Sequence, residues 1–271
     1  MRVFNRLTML TVASAIALSL ASGAAYAQKG KSKACKGLPA HAQLRQALLN
    51  ANATGGAGIH GGLGLNMWGT VVNRDGIVCA VAFSGGSRSD QWPGSRVISA
   101  AKAYTANAYS LPALAVSTAN LYAVNQPGGN FWGLQFSNPT NVDPPKGAYQ
   151  GPVKNFGQQN DPMVGKLIGG QIVFGGGFAL YNSTGKLLGG LGVSGDTSCK
   201  DHNYGWQVRK LLGLDFVPNG PAAAFAGDPT RPDNIIYDIG LSEKALTSSV
   251  SSFGHVDCGL GESAIVLPPV P

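Results

Sequence analysis

Two pairs of apolar runs, each joined by a short polar turn, constrain this fold more than any other feature of the sequence. The first pair covers residues 63–72 and 77–83 around an Asn-Arg-Asp-Gly turn, and the second covers residues 170–181 and 186–193 around an Asn-Ser-Thr-Gly turn. Such turns between apolar runs are typical of antiparallel hairpins. Helical patterns precede, separate and follow the two pairs. This order predicts an α+β fold with an antiparallel sheet.

Apolar residues that recur every three to four positions predict three helices. Their apolar faces are Leu44, Ala47, Leu48 and Ala51 in the first, Val97, Ala101, Tyr104 and Ala108 in the second, and Tyr204, Val208, Leu211 and Leu212 in the third. We expect Ser95 to cap the second helix. We expect Ser198 to cap the third, with Asp201 three residues on as in a capping box.

The first 27 residues have the form of a secretory signal peptide. Arg2 and Arg6 precede an apolar run, and an Ala-Tyr-Ala sequence at 25–27 supplies a small-x-small cleavage site. We therefore expect cleavage near Ala27 and a periplasmic or secreted protein. No later run is apolar for the roughly 18 residues that a membrane helix needs, so we expect no membrane span in the mature form.

Composition divides the remaining chain into three regions. Residues 28–37 are a basic tail, residues 38–214 contain the predicted helices and hairpins, and residues 215–271 are a Pro-rich, irregular C-terminal extension. Residues 125–165, called the excursion below, are rich in Asn, Gly, Pro and Gln. We expect the excursion to be ordered if its aromatic residues pack, namely Phe131, Trp132 and Phe136.

The charge balance excludes a nucleic-acid-binding surface. The chain has 20 Lys and Arg against 13 Asp and Glu, but two of the basic residues lie in the leader and four between Lys29 and Lys36. The folded region is therefore close to neutral and offers no basic face.

Four cysteines in an exported chain predict two disulfides. They are Cys35, Cys79, Cys199 and Cys258, and three pairings are open. Because Cys35 and Cys258 lie in the terminal regions, we expect the bridges to tie these regions to the body. The cysteines form no C-x-x-C pair, and the four histidines form no close ligand pair, so we expect no metal site of the zinc type.

Two motifs point weakly to enzymes. Residues 99–102 match the S-x-x-K pattern, in which Lys102 could take the proton of Ser99, but the accompanying S-D-N and K-T-G elements are missing. Two segments match the G-x-G-x-x-G pattern of dinucleotide sites: residues 56–61 follow a helix and not a strand, and residues 190–195 lie between a strand and a helix but lack a βαβ crossover.

Three stretches, in this order, resemble the GlcG/HbpS-like haem-binding family, which also includes the C-terminal domain of PduO-type proteins. Residues 71–81 resemble its first hairpin, residues 99–106 its "S…A..KA.TA" helix, and residues 175–195 its closing glycine-rich hairpin. The positions that match the family motifs are Lys102, Thr105, Gly192, Ser194, Gly195 and Asp201. The chain departs from the family in a longer loop at 87–94 and in Phe178-Ala179, which replaces a proline after the glycine pair.

The resemblance implies a profilin-like layout, with about five antiparallel strands, helices packed against them and assembly into homo-oligomers. It also implies that the excursion and the C-terminal extension are additions to the family domain, residues 38–214. Some members bind haem or sense redox state, so we expect an exported haem- or tetrapyrrole-binding protein. Candidate haem contacts are His41 or Tyr104 as the iron ligand and Arg96 or Lys102 near the propionates.

Two other functions remain open at this point. One is an enzyme or binding protein for a small organic acid, with Ser99 and Lys102 as its working groups. The other is an envelope interaction protein whose excursion contacts a partner.

Overall fold

The structure is a computed structural model that describes residues 33–53, 60–143, 147–239 and 249–271. The expected signal peptide lies outside the described residues. Residues up to Lys36 form a unit of their own, whose described part is one helical turn, and the rest of the chain forms a second unit. No helix in the described ranges is long and apolar enough to cross a membrane.

The larger unit confirms the predicted α+β order. Its elements are α1 His41–Ala53, β1 Trp68–Asn73, β2 Val78–Phe83, α2 Ser95–Tyr109, β3 Gly177–Tyr181, β4 Leu187–Ser194, α3 Ser198–Leu211 and the short α4 Pro221–Phe225. All strand pairs are antiparallel, in the order β2-β1-β4-β3.

The described residues form four strands in this sheet, whereas about five were expected. The apolar run at residues 63–72 forms a strand only from residue 68, and the run at residues 170–181 forms a strand only from residue 177. Within residues 170–181, Gly170 and Gly176 have φ values of +87° and +116°. These conformations lie outside the strand region and favour glycine.

Helices cover both faces of the sheet. On one face, α1 and α3 bury a core that includes Leu44, Leu48, Val71, Leu191 and Val208. On the other face, α2 packs against β1, β3 and β4, and a second core on this side contains Val72, Val81, Val97, Ala100 and Ala103. The glycines of β4 permit this close approach, because a side chain at Gly192 would collide with the Ser99 carbonyl on α2.

Two predicted helix caps are wrong. Ser95 is the first helical residue of α2, and the capping position is Gly94, which makes no side-chain hydrogen bond. The cap of α3 is Thr197, one residue before Ser198, and its hydroxyl accepts the Lys200 N–H at 3.2 Å.

The predicted apolar face of α2 is also partly wrong. Ala108 is exposed and Tyr104 is half-buried, whereas the polar residues Ser99, Lys102 and Thr105 are fully buried. These polar side chains are buried because each has a hydrogen-bond partner inside the protein.

The three aromatic rings that were expected to pack the excursion do not hold it in the structure. Phe131, Trp132 and Phe136 are all exposed. The anchor is Asp161, which is buried and pairs with Arg96 of α2. This ion pair holds the excursion together with Ala148 and Met163, which are part of the core beside α2, and Phe156, whose ring packs against that core.

The cysteines form disulfides as predicted. Cys199 of α3 bonds Cys258, 59 residues later, and so ties the C-terminal extension to the body. Cys35 and Cys79 are disulfide-bonded as well, and no cysteine is free. A buried pair between Arg209 and Asp233 fixes the extension a second time.

Candidate functional site

The site begins with His41, the first residue of α1. Leu44 and Leu48 of this helix are buried against the sheet, so the half-buried His41 lies at the edge of the same face. Its Nε2 lies 2.9 Å from the carbonyl oxygen of Gly157 in the excursion. A carbonyl only accepts, so Nε2 carries the proton and Nδ1 holds the lone pair. No described residue hydrogen-bonds to Nδ1.

The backbone conformation of Gly157 and its lack of a side chain make this contact possible. Its φ is +75°, and any side chain at this position would collide with the rings of Phe83 and Trp68. Only glycine therefore lets the excursion lie close enough to these rings to present its carbonyl to His41.

Arg96 and Asp161 fix the turn that carries Gly157. Arg96 Nε donates to Asp161 Oδ2 at 2.8 Å, Nη2 donates to Oδ1, and Nη1 donates to the Ala148 carbonyl at 2.9 Å. The Asp161 carboxylate also accepts the N–H of Gly157 at 2.6 Å and of Met163 at 2.8 Å. Arg96 and Asp161 are both buried. These hydrogen bonds satisfy the charged groups of both side chains, as a stable buried ion pair requires.

The structure thus links two of the predicted site residues, His41 and Arg96, through Gly157 and Asp161. His41 binds the carbonyl of Gly157, and Arg96 binds the carboxylate that holds the N–H of the same residue. Arg96 positions the turn, but its donors are engaged in the interior, so it does not offer a free guanidinium to a ligand.

Arg45 is a half-buried cation of this site, and sequence reasoning missed it. It lies one helical turn after His41 and is half-buried. It donates to the carbonyls of Phe83 and Gly85, the latter at 3.1 Å, with its guanidinium carbon 4.9 Å from the centre of the Phe83 ring. The spacing of four residues from His41 was the available signal, because such residues share a helix face.

Lys102 lies in the interior. Its Nζ donates to Asp201 Oδ2 at 2.7 Å, and Asp201 Oδ1 accepts the N–H groups of Gly195 and Asp196. Burial lowers the pKa of Lys102 and raises the pKa of Asp201 to about 6, because both charged forms are removed from water. A side chain at Gly176 would collide with this ammonium.

The other family-motif positions also serve packing. Thr105 donates its hydroxyl to the Ala101 carbonyl at 2.7 Å and accepts the Ile172 N–H at 3.0 Å. Ser194 is buried at the end of β4, opposite Trp68 of β1. These residues join α2, the sheet and α3.

Tyr104 contacts a different part of the excursion. Its hydroxyl accepts the side-chain N–H of Asn138 at 3.0 Å, and its ring covers Gly76 of the first hairpin. Among the described residues, neither Tyr104 nor Lys102 hydrogen-bonds to the turn that holds Gly157.

Ser99 and Lys102 do not form a serine–lysine pair. The Ser99 hydroxyl donates to the Arg96 carbonyl at 2.8 Å and lies 2.7 Å from the Thr70 hydroxyl, and both Ser99 and Lys102 are fully buried. A substrate has no access to them, so the structure gives no support to the organic-acid enzyme that uses this pair.

The surface beside His41 fits one side of a haem. It offers an imidazole nitrogen with a lone pair and the half-buried cation Arg45, whereas the rings of Phe83 and Trp68 lie buried beneath Gly157. Haem needs an axial donor, an apolar environment and cations for its propionates. The donor and the cation are present on this surface, and the two aromatic rings support it from the interior.

Comparisons with known proteins identify one family model that matches, described as "Haem degrading protein HbpS-like", over residues 63–207. Among curated proteins, no sequence matches this chain. The matched segment includes Arg96, Lys102, Asp201 and the excursion, whereas His41 and Arg45 precede it.

Several solved structures are similar to this chain. Among them are a PduOC–haem complex (21% identity, 64% of this chain and 91% of that chain, TM-score 0.41), the Klebsiella pneumoniae protein ORFY (19%, 63% and 86%, 0.41) and HbpS (19%, 64% and 86%, 0.38).

Proposed function

The chain belongs to the HbpS-like family, and from this premise we propose that it binds haem with His41 as the iron ligand. The observation that carries the proposal is the fixed imidazole of His41, whose Nε2 proton is held by the Gly157 carbonyl. Histidines that bind metals usually donate their other ring N–H to a carbonyl or carboxylate, which fixes the tautomer and the ring orientation. His41 has this arrangement, and its Nδ1 is the donor.

Arg45 supplies the charge for a haem propionate in this proposal. A carboxylate beside an arginine forms a strong, charge-assisted hydrogen bond. Arg45 is half-buried and lies on the same face as His41, whereas Arg96 and Lys102 are each paired with an aspartate inside the protein. Arg45 therefore takes the role that the sequence suggested for Arg96 or Lys102.

Bound haem would supply redox and gas-ligand chemistry, which fits haem handling or redox sensing outside the cytoplasm. The signal-peptide pattern and the absence of free cysteines support export, because disulfides persist in oxidising compartments. We infer a homo-oligomer as well, since His41 and Arg45 cover one face of a flat ligand and a second copy would cover the other.

The test is a haem titration of the mature protein, residues 28–271, followed by absorption spectroscopy. We expect a sharp, shifted Soret band that His41→Ala abolishes and that added imidazole restores in this variant. Restoration would separate loss of the ligand from loss of structure. Gln46→Ala is the matched control, because Gln46 is exposed on the same helix and bonds only Asn50.

A spectrum of free haem with the wild-type protein would overturn the proposal. An unchanged Soret band in His41→Ala would leave haem binding intact but remove His41 as the ligand.

A further inference from the structure

A cleft lies between the excursion and the C-terminal extension. It consists of two adjoining cavities of about 300 and 420 Å³ that share Val124, Asn130 and Ser252. Volumes of this size are typical of small-molecule sites. The cleft shares no lining residue with the His41 surface.

Hydrogen bonds join the two walls of the cleft and hold one of its turns. The Ala123 N–H donates to the Gly254 carbonyl at 3.1 Å, which joins the two walls. Asp238 accepts the N–H of Ser251 at 2.6 Å and holds the turn at 249–254. Within this turn Ser252 has a φ of +65°, the only left-handed conformation among non-glycine residues in the described ranges. Such strained residues cluster at functional sites.

The chemistry of the lining selects a neutral ligand. The described residues that line the two cavities are Ala, Val, Ile, Pro, Gly, Phe, Ser, Asn and Gln, without any ionisable side chain. An ionic ligand would lose its hydration here and gain no counter-charge.

The cleft also has a flat aromatic side and a polar rim. Phe225 stacks on Phe253 with ring centres 5.0 Å apart and planes 15° apart, yet remains 59% exposed. Phe131 is 47% exposed in the opposite wall. The side chains of Asn130 and Ser252 make no hydrogen bond to any described residue, so their polar atoms are available.

We propose that this cleft binds a neutral carbohydrate. A pyranose ring has an apolar C–H face and an edge of hydroxyl groups. The C–H face packs on the exposed ring of Phe225, and Phe131 lies in the opposite wall. The hydroxyl groups bond the Asn130 amide and the Ser252 hydroxyl. This site is independent of the haem proposal.

The test is saturation-transfer difference NMR on the mature protein with glucose, N-acetylglucosamine, maltose and cellobiose as probes. We expect transfer to the ring protons of at least one sugar. Phe225→Ala should weaken its binding about two- to tenfold, the range expected from loss of one aromatic contact. Asn130→Ala should weaken it as well.

Phe136→Ala is the matched control, because Phe136 belongs to the same excursion, is 72% exposed and lines neither cavity. The proposal is overturned if none of the four sugars shows transfer. It is also overturned if Phe136→Ala weakens binding as much as Phe225→Ala. Sugar binding should persist in His41→Ala, and the haem spectrum should persist in Phe225→Ala.

Discussion

Replacing Asp161 by asparagine tests both the anchoring of the excursion and the geometry at His41. The carboxylate receives four donors: two from Arg96 and the N–H groups of Gly157 and Met163. An asparagine of the same shape turns one acceptor oxygen into a donor, so two of the four donors lose their partner. It also leaves the buried Arg96 guanidinium without a counter-charge. Breaking a buried ion pair in this way costs about 3–5 kcal/mol.

We expect Asp161→Asn to lower the free energy of unfolding by that amount, measured by urea denaturation with tryptophan fluorescence. Asp228→Asn is the control, since its pair with Arg231 is partly exposed and should contribute less than about 1 kcal/mol. Equal losses in the two variants would refute the argument from burial. Asp161 also holds the N–H of Gly157, whose carbonyl contacts His41. If the Asp161→Asn variant folds and keeps full haem affinity, the Gly157 carbonyl does not orient His41 for haem.

Two further predictions concern the C-terminal extension. Burial lowers the pKa of His255 to about 4, so its contribution to stability is present above the ordinary value near 6.5 and is lost as the pH falls from there through about 4. We expect His255 to contribute about 3 kcal/mol to the loss of stability between pH 7 and pH 4 in urea denaturation, so the loss should be smaller by about this amount in His255→Gln; an equal loss in both would contradict this assignment. The double variant Cys199→Ala, Cys258→Ala opens a loop with a sequence separation of 59 and should lose about 4 kcal/mol by the chain-entropy estimate; an unchanged thermal midpoint would show that the disulfide does not hold the extension.

The hairpins and α1 were predictable because their signals are local. Asn73 accepts the N–H groups of Asp75 and Ile77 through its side chain, and Asn182 accepts those of Thr184 and Lys186 in the same way. A side chain that hydrogen-bonds within its own turn has its partners no more than four residues away in the chain, so the local sequence is enough to predict the turn.

The buried face of α2 was not predictable, because its partners are distant in the chain. Pattern analysis treats Lys102 and Thr105 as polar and hence exposed. In the structure Lys102 meets Asp201, 99 residues later, and Thr105 meets the N–H of Ile172, 67 residues later. Only the fold brings these partners together.

For the same reason, only part of the candidate site could be predicted from the sequence. His41 was visible as a lone histidine on a helix, and Arg45 follows one turn later. The Gly157 carbonyl lies 116 residues from His41 in a segment without periodicity. Asp161 likewise carried no spacing signal that pointed to Arg96.

The residues behind the family resemblance hold the fold, whereas the proposed ligand residues lie elsewhere. Lys102 and Asp201 join α2 to α3 in the interior, and the family match begins after His41. Lys102→Met should therefore lower the free energy of unfolding by about 3–5 kcal/mol, because it leaves a buried carboxylate unpaired. The protein that remains folded should keep its Soret band, whereas His41→Ala should lose the band with little change in stability. Loss of the band in folded Lys102→Met would instead place the haem against the interior pair and refute the assignment to α1.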